Sequence, residues 1–422
     1  MLIGKEIEHG ILDLNQIYSI CESAFSQVEL KNKSVLVIIP DNTRHAPIDL
    51  FFKVIYDLIG NKVKSLDYLI ATGTHQPMTE QEISKFIGVS QSDIETKYSG
   101  VRIFNHDHRR EEDLIQIGTI SAVEIEKITN GLLKEEIKVT INKMILGYDQ
   151  IILVSPVVPH ETVGFSGGNK YFFPGIGGLD IIQSFHWLGA VITNPVINGV
   201  KDTPVRRVID RAAKFLPIPR LCLAFVVVDH GLACLYAGTP EQTWDKAADC
   251  SAKHHIIYMK KPYKKILGIA SEIYTDLWVA GKVMYKLEPI VADDGELIIY
   301  APHVKDISFV HEKAIREVGY HVRDYFLKQW DKFSKYSKLI LAHSTNVRGI
   351  GKYENGVEYP RIKVTLATSI PEEVCEQINL AYQNPDSIDI EKLKKSQSDE
   401  FIVVENAGQI LYRLENDVFR IN

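Results

Sequence analysis

Short apolar, β-branched runs recur along the chain with longer amphipathic stretches between them. Nothing else in the sequence restricts the fold so strongly. Strands buried on both faces read as continuous apolar runs, and the helices that cover them carry one apolar stripe, so this alternation specifies a mostly parallel sheet flanked by helices. Strands are predicted at Ser34–Ile39, Leu66–Ile70, Ile151–Ser155, Ala224–Val228, Lys265–Ile269, Glu296–Tyr300, Leu339–Ala342, Lys363–Ala367 and Phe401–Val404. Helices are predicted at Ile48–Ile59, Pro204–Phe215, Glu241–Ala252, Asp276–Tyr285 and His311–Trp330. The expected class is α/β, with two domains and the active site in the cleft between them.

A chain of 422 residues, 45% of them hydrophobic, can bury a sizeable core. The polar, proline-containing KKPYKK stretch suggests a break near Lys260–Lys264. The expected layout is a large domain over residues 1–262, a smaller βαβαβ domain over 263–370, and a segment 371–422 returning to the first domain.

Charge excludes several functions. The balance is 48 − 54 = −6, with both signs interspersed. No basic stripe for nucleic acid or polybasic segment for a membrane surface is present. No apolar run approaches the roughly 20 residues that span a bilayer, and the start lacks the pattern of a signal peptide. Five scattered cysteines form no CxxC pair, which suggests neither a disulfide framework nor a thiolate zinc site. A cytoplasmic protein is expected.

Three of the predicted strands end in polar loops, and ligands in open α/β sheets bind beyond the carboxyl ends of strands. The first loop, PDNTR, carries Asp41 and Arg44. A turn and helix cap would account for Asp, Asn and Thr there, but a cap does not require arginine, whose fork suits a carboxylate or phosphate. The second, ATGTHQPMTEQE, places His75 in a glycine-bearing turn, with Thr79 and Glu82 spaced as a capping box. The third, VVPHETVGFSGGNKYFFPGIGG, holds His160, then Gly164, Gly167 and Gly168 ahead of Lys170. Glycines there let the backbone approach a ligand, and the spacing is not that of a Walker A loop.

His186 follows Lys170 by 186 − 170 = 16 residues, in an apolar stretch where a histidine is ordinarily a core residue. His9, His45, His106, His108, His254 and His255 lack a comparable setting, and no HExxH pair occurs, which argues against zincin-type hydrolysis. Lys282 reads on its own as a surface lysine.

Taken together, the Asp-x-Thr-Arg loop, the Gly-Thr-His loop, the Pro-His segment running into Gly-Gly-x-Lys, the later histidine and the second-domain lysine resemble the lactate racemase family. Its members use a nickel-pincer nucleotide. The resemblance implies covalent attachment of that cofactor at Lys170, with Gly164, Ser166, Gly167, Gly168 and Asn169 around it, and His186 as the one protein ligand to nickel. It implies His75 and His160 as the pair of bases, with Arg44 and Lys282 holding the substrate carboxylate. Asp41 would orient these groups or the cofactor.

The activity implied is inversion of C2 in a small 2-hydroxy acid. The α-hydrogen beside a carboxylate is barely acidic, so it leaves as hydride while the hydroxyl proton is removed, giving a planar keto acid. Two stereochemical directions require a base on either side. Other proteins assemble the cofactor, so a recombinant chain is expected empty.

Val279 and His45 depart from the lactate-acting pattern (glutamine and proline there). A sugar acid such as an aldonate becomes an alternative substrate, its extra hydroxyls met by Ser344–Arg348. A non-catalytic phosphate- or nucleotide-binding protein using the glycine loop is the reading from another class.

Overall fold

The computed structural model describes residues 2–229, 231–416 and 419. It divides into two compact units. The first comprises residues 1–158, 165–182 and 206–254, and the second residues 159–164, 183–205 and 255–422.

The first unit is built on a seven-stranded sheet. Its strands are β1 (Ile3–Glu6), β2 (Ser34–Pro40), β3 (Ser65–Ala71), β4 (Val101–Asn105), β5 (Gln150–Pro156), β6 (Arg220–Val228) and β7 (Gly231–Gly238), in the order β1-β7-β6-β5-β2-β3-β4. The central run from β4 to β6 is parallel, with Val37 level with Tyr68 on one side and Ile152 on the other. Only β7 is reversed, pairing antiparallel with both β6 and β1. Every residue of β2 after Ser34 is buried, as a strand covered on both faces demands.

The helices α1 (Leu14–Phe25) and α2 (Ile48–Ile59) pack on this sheet, and their buried positions recur at helical spacing. Phe51, Phe52 and Ile55 of α2 join Val35, Val37 and Tyr68 in one hydrophobic core. From β2 the chain moves to β3 on one side, and later returns as β5 on the other. The β2/β5 boundary is therefore a topological switch point, where the loops leaving two adjacent strands diverge and leave a crevice.

The second unit has a five-stranded sheet that is parallel throughout. In chain order its strands are β9 (Tyr263–Ala270), β10 (Val291–Ala301), β11 (Lys363–Thr368), β12 (Ala381–Tyr382) and β13 (Phe401–Ala407), following β8 (Ile256–Met259), which lies outside the sheet. The sheet order is β12-β11-β10-β9-β13. The tail past residue 370, expected against the first domain, instead belongs to this unit. Its β13 adds to the edge of β9, and its last strand, β14 (Leu411–Leu414), pairs with β8. The apolar Phe401–Val404 run finds an open parallel edge there, which satisfies its ladder.

Two expectations of local structure change. Leu339–Ala342 is not a strand but part of a helix, Lys338–Arg348, and all four residues are buried. A short apolar run is compatible with a buried helix as well as a strand, and only its continuation through HSTNVR to Gly349 separates the two. The expected helix His311–Trp330 is broken into Glu312–Val318, Arg323–Leu327 and Trp330–Phe333, the first ending at Gly319 with φ +74°.

Candidate functional site

At the end of β2 the chain makes a tight turn before α2 begins at Ile48. Asp41 caps no helix there. Its Oδ1 accepts the Thr43 N–H at 3.2 Å and the Thr43 hydroxyl at 2.7 Å, closing an Asx turn. Its Oδ2 accepts from His75 Nδ1 at 2.5 Å. Asp41 is 3% exposed, and burial alone would raise its pKa. The His75 charge and hydrogen bond, the Arg44 charge and the Thr43 hydroxyl outweigh that, and hold the carboxyl well below the usual carboxylate range.

A carboxylate can only accept, so the His75 proton sits on Nδ1 and the lone pair of the neutral ring is on Nε2. The structure adds a partner that was not among those expected for Asp41: its Oδ2 is bonded to His75, while the Arg44 charge also acts on the carboxylate. Arg44 stands half-buried in the same turn, its N–H donating to Asp41 O at 3.3 Å.

The loop that presents His75 is held at both ends. The His75 N–H donates to Thr72 O at 2.9 Å, and Gly73 adopts φ +58° while donating to Gly175 O at 3.0 Å. That left-handed conformation is the reason for glycine here, since a Cβ at Gly73 would meet nothing within 4 Å. Thr79 then caps the helix α3 (Glu80–Ile87) in the capping box expected with Glu82.

The glycine segment after β5 is a 3₁₀ turn over Gly168–Tyr171, with Lys170 half-buried at its third position. Gly167 and Gly168 have φ +87° and +59°. A Cβ on Gly167 would lie 2.7 Å from Val157 Cγ2, and one on Gly168 would lie 2.9 Å from Trp244 Cβ. The Gly168 N–H donates to Ser155 Oγ at 2.8 Å.

Two of the expected cofactor contacts also bond to the scaffold. Ser166 Oγ donates to Pro156 O at 3.1 Å and accepts the Val158 N–H at 3.0 Å. Asn169, 1% exposed, donates to Asp210 at 2.9 Å and to Glu241 at 2.8 Å. Below the turn, Arg206 is buried with its guanidinium 4.1 Å from the Trp244 ring centroid, and it donates to Phe165 O and Gly167 O. Burial pushes the Arg206 pKa down to about 10. Neither Arg206 nor Trp244 announces itself in the sequence, because their partners are backbone carbonyls remote in the chain.

His160, His186 and Lys282 belong to the second unit. His160 is buried; its Nδ1 lies 3.2 Å from the Thr162 nitrogen and 3.3 Å from Glu161 Oε2. Gly164 packs so closely on the 199–203 segment that a Cβ there would lie 1.8 Å from Val200 O, a structural reason for this glycine. His186 is half-buried in the helix α4 (Leu179–Ile192). Lys282 opens the short helix Lys282–Leu287, its Nζ 5.1 Å from the Tyr274 ring centroid.

His343, on the Lys338–Arg348 helix, is buried. The Tyr285 hydroxyl lies 2.9 Å from Nδ1, the Tyr320 hydroxyl 3.2 Å from Nε2, and Trp278 stacks on the ring at 3.8 Å. Of the Ser344–Arg348 stretch expected to meet substrate hydroxyls, Ser344 is taken up by Gly319 O and the His321 N–H, and Arg348 by Asn379 O.

Among the described residues no group of three or more His, Cys, Asp or Glu side chains could by itself hold a metal ion. A metal carried on an organic group needs only one protein ligand, which His186 can supply, and a half-buried lysine on a glycine turn suits a tether. No helix among them is long and apolar enough to cross a membrane.

Residues 15–197 match the model of the lactate racemase N-terminal domain. The lactate racemase of Thermoanaerobacterium thermosaccharolyticum is 28% identical over 221 residues, which span 51% of this chain and about half (47%) of that protein's length. A crystal structure of a protein from Thermotoga maritima is similar over 97% of this chain and 100% of its own, with a TM-score of 0.88 and 31% identity. The lactate racemase apoprotein of T. thermosaccharolyticum has the same fold, with a TM-score of 0.72 at 20% identity over 94% of this chain and 92% of its own.

Proposed function

We propose that this chain, whose residues 15–197 match the lactate racemase N-terminal domain, racemises or epimerises the C2 centre of a small 2-hydroxy acid with a nickel-pincer nucleotide. The observation that carries this reading is the Asp41–His75 pair, 2.5 Å apart at the carboxyl ends of adjacent strands. It is an oriented imidazole with its lone pair on Nε2, which is what removal of a hydroxyl proton requires.

Lys170 is the point of covalent attachment and His186 the nickel ligand. When bound, the cofactor supplies the electrophile that accepts the hydrogen leaving C2. The chain's own groups do the rest. His75 removes the hydroxyl proton for one enantiomer, and His160 serves the other as second base in the tautomer whose proton lies on Nδ1, towards the Glu161 carboxylate 3.3 Å away. Asp41 keeps the His75 proton on Nδ1 and stabilises the imidazolium that forms. Arg44 and Lys282 grip the carboxylate and orient C2. The positive-φ turn at Gly167 and Gly168 would let backbone amides contact the nucleotide once it is tethered.

The test is peptide mass spectrometry on protein expressed with the cofactor-assembly genes and nickel, followed by assays on lactate and an aldonate side by side. A nucleotide-sized adduct on Lys170, nickel lost in His186→Ala, and racemisation of either acid are expected. Conversion of the aldonate alone makes this a sugar-acid epimerase. An unmodified Lys170 under those conditions overturns the reading and leaves a phosphate- or nucleotide-binding protein.

A further inference from the structure

The end of β4 holds the loop that carries His75 at two points, and neither residue involved stands out in the sequence. The Asn105 side chain reads the Met78 backbone in both senses, accepting its N–H at 3.0 Å and donating to its carbonyl at 2.8 Å. The next residue, His106, is fully buried and holds the other end: its carbonyl accepts the Thr72 hydroxyl at 2.6 Å, and its N–H donates to Ile70 O at 3.0 Å. His75 lies between these two anchors.

The His106 ring extends the connection. Nε2 lies 3.0 Å from Gly177 O, and a carbonyl only accepts, so Nε2 carries the proton. Nδ1 accepts from Asn142 Nδ2 at 3.3 Å, and the Asn142 N–H in turn donates to Ile176 O at 2.9 Å. Ile176 and Gly177 lie in the glycine-rich stretch 175–178, a few residues past Lys170, and the Gly175 carbonyl of the same stretch accepts from Gly73. One buried imidazole therefore joins the His75 loop to the segment that leaves Lys170.

We infer that Asn105 and His106 are positioning residues: they fix the Thr72–Met78 loop so that His75 meets Asp41, and tie its place to that of the Lys170 turn. The inference rests on the proposed function only in calling His75 a base. Imidazole geometry at His75 can be read without turnover.

The variants are Thr72→Val, which removes only the hydroxyl that His106 O accepts, Thr72→Ser, which keeps it, and His106→Gln, whose amide can still reach Gly177 O. Two readouts are taken. The first is the imidazole NMR spectrum of His75 in the protein as purified, assigned with His75→Ala. The second is kcat and KM of cofactor-loaded protein.

Thr72→Val is expected to shift the His75 Nδ1–H resonance and to lower kcat by roughly 10- to 100-fold, as sub-ångström to ångström misplacement does. KM should stay within about threefold, since no substrate contact is touched. Thr72→Ser is expected to restore both, and His106→Gln to fall between. A Thr72→Val protein whose His75 resonances superimpose on the wild type and whose kcat is unchanged overturns the inference. If the loaded wild type turns over no 2-hydroxy acid, the proposed function fails, yet the His75 spectrum still decides the positioning role.

Discussion

His75 and His343 are the same side chain in opposite circumstances. His75 sits on a strand-end loop of the first unit, with Nδ1 committed to a carboxylate at 2.5 Å. His343 sits inside the second unit, with a tyrosine hydroxyl at each nitrogen and a tryptophan on one face. Burial, with His311 and His186 close by, pushes the His343 pKa well below its ordinary value, which keeps the ring neutral. A histidine becomes useful for proton transfer when one nitrogen is fixed and the other is left for a ligand. With both nitrogens committed it is a polar core residue, satisfied and inert.

The largest expected effect tests the first half of that contrast. Asp41→Asn keeps the shape of the turn but presents an amide that can donate to Nδ1, which favours the wrong tautomer. Racemisation by cofactor-loaded protein should fall by about 10³- to 10⁴-fold in kcat, the scale seen when a carboxylate partner of a catalytic histidine is neutralised. A loss below tenfold would mean that His75 does not depend on its carboxylate, and the distinction from His343 would collapse.

The second half is tested by His343→Leu. It strands the Tyr285 and Tyr320 hydroxyls in a buried space, at about 1–3 kcal/mol each. A thermal midpoint lower by several degrees is expected, with kcat of the surviving folded fraction little changed. A variant of wild-type stability that had lost turnover would move His343 into the site.

His106 supplies an intermediate case: buried and bonded at both nitrogens, yet tied to the active loop. Burial lowers its pKa from 6.5 to about 4, while the Gly177 carbonyl works the other way. The folded state therefore binds this proton more weakly than the unfolded chain does. Its contribution is fully present above about pH 6.5 and is lost as pH falls towards 4, by about 3 kcal/mol across the window. The urea midpoint of wild type should drop between pH 7 and pH 4.5, and that of His106→Gln should drop less. Equal slopes would remove His106 from the acid-sensitive groups.

Much of the first unit was legible in the sequence. The runs SVLVII, LDYLI and IILVS became β2, β3 and β5 because their burial on both faces leaves an unbroken apolar pattern. The loops after these strands stand out by residue type and by their place at strand ends. The illegible part depends on partners distant in the chain. The destination of Asp41 became visible only once β2 and β3 were paired, since the thirty-odd residues between it and His75 carry no local sign of the bond. His106 was passed over because a histidine after a short strand looks the same whether its ring meets water or Gly177. At Ser166 and Asn169 the ligand-like motif gave no sign of the scaffold bonds that Ser166 Oγ and Asn169 Nδ2 make.

The smallest effect concerns the far end of the His75 loop. Thr79 Oγ1 accepts the Glu82 N–H at 3.3 Å, and Glu82 Oε2 accepts the Thr79 N–H at 2.7 Å. This capping box starts α3 four residues past His75, beyond the Asn105 anchor at Met78. Thr79→Ala should cost about 1 kcal/mol, the usual worth of an N-cap, measured as a small fall in denaturation midpoint. If Asn105 and His106 isolate the loop from α3, kcat on cofactor-loaded protein should stay within twofold of wild type. A tenfold fall in kcat from so small a stability change would show that the helix start, rather than the end of β4, sets the aim of His75, and the fixed nitrogen on which the comparison with His343 depends would then have a different origin.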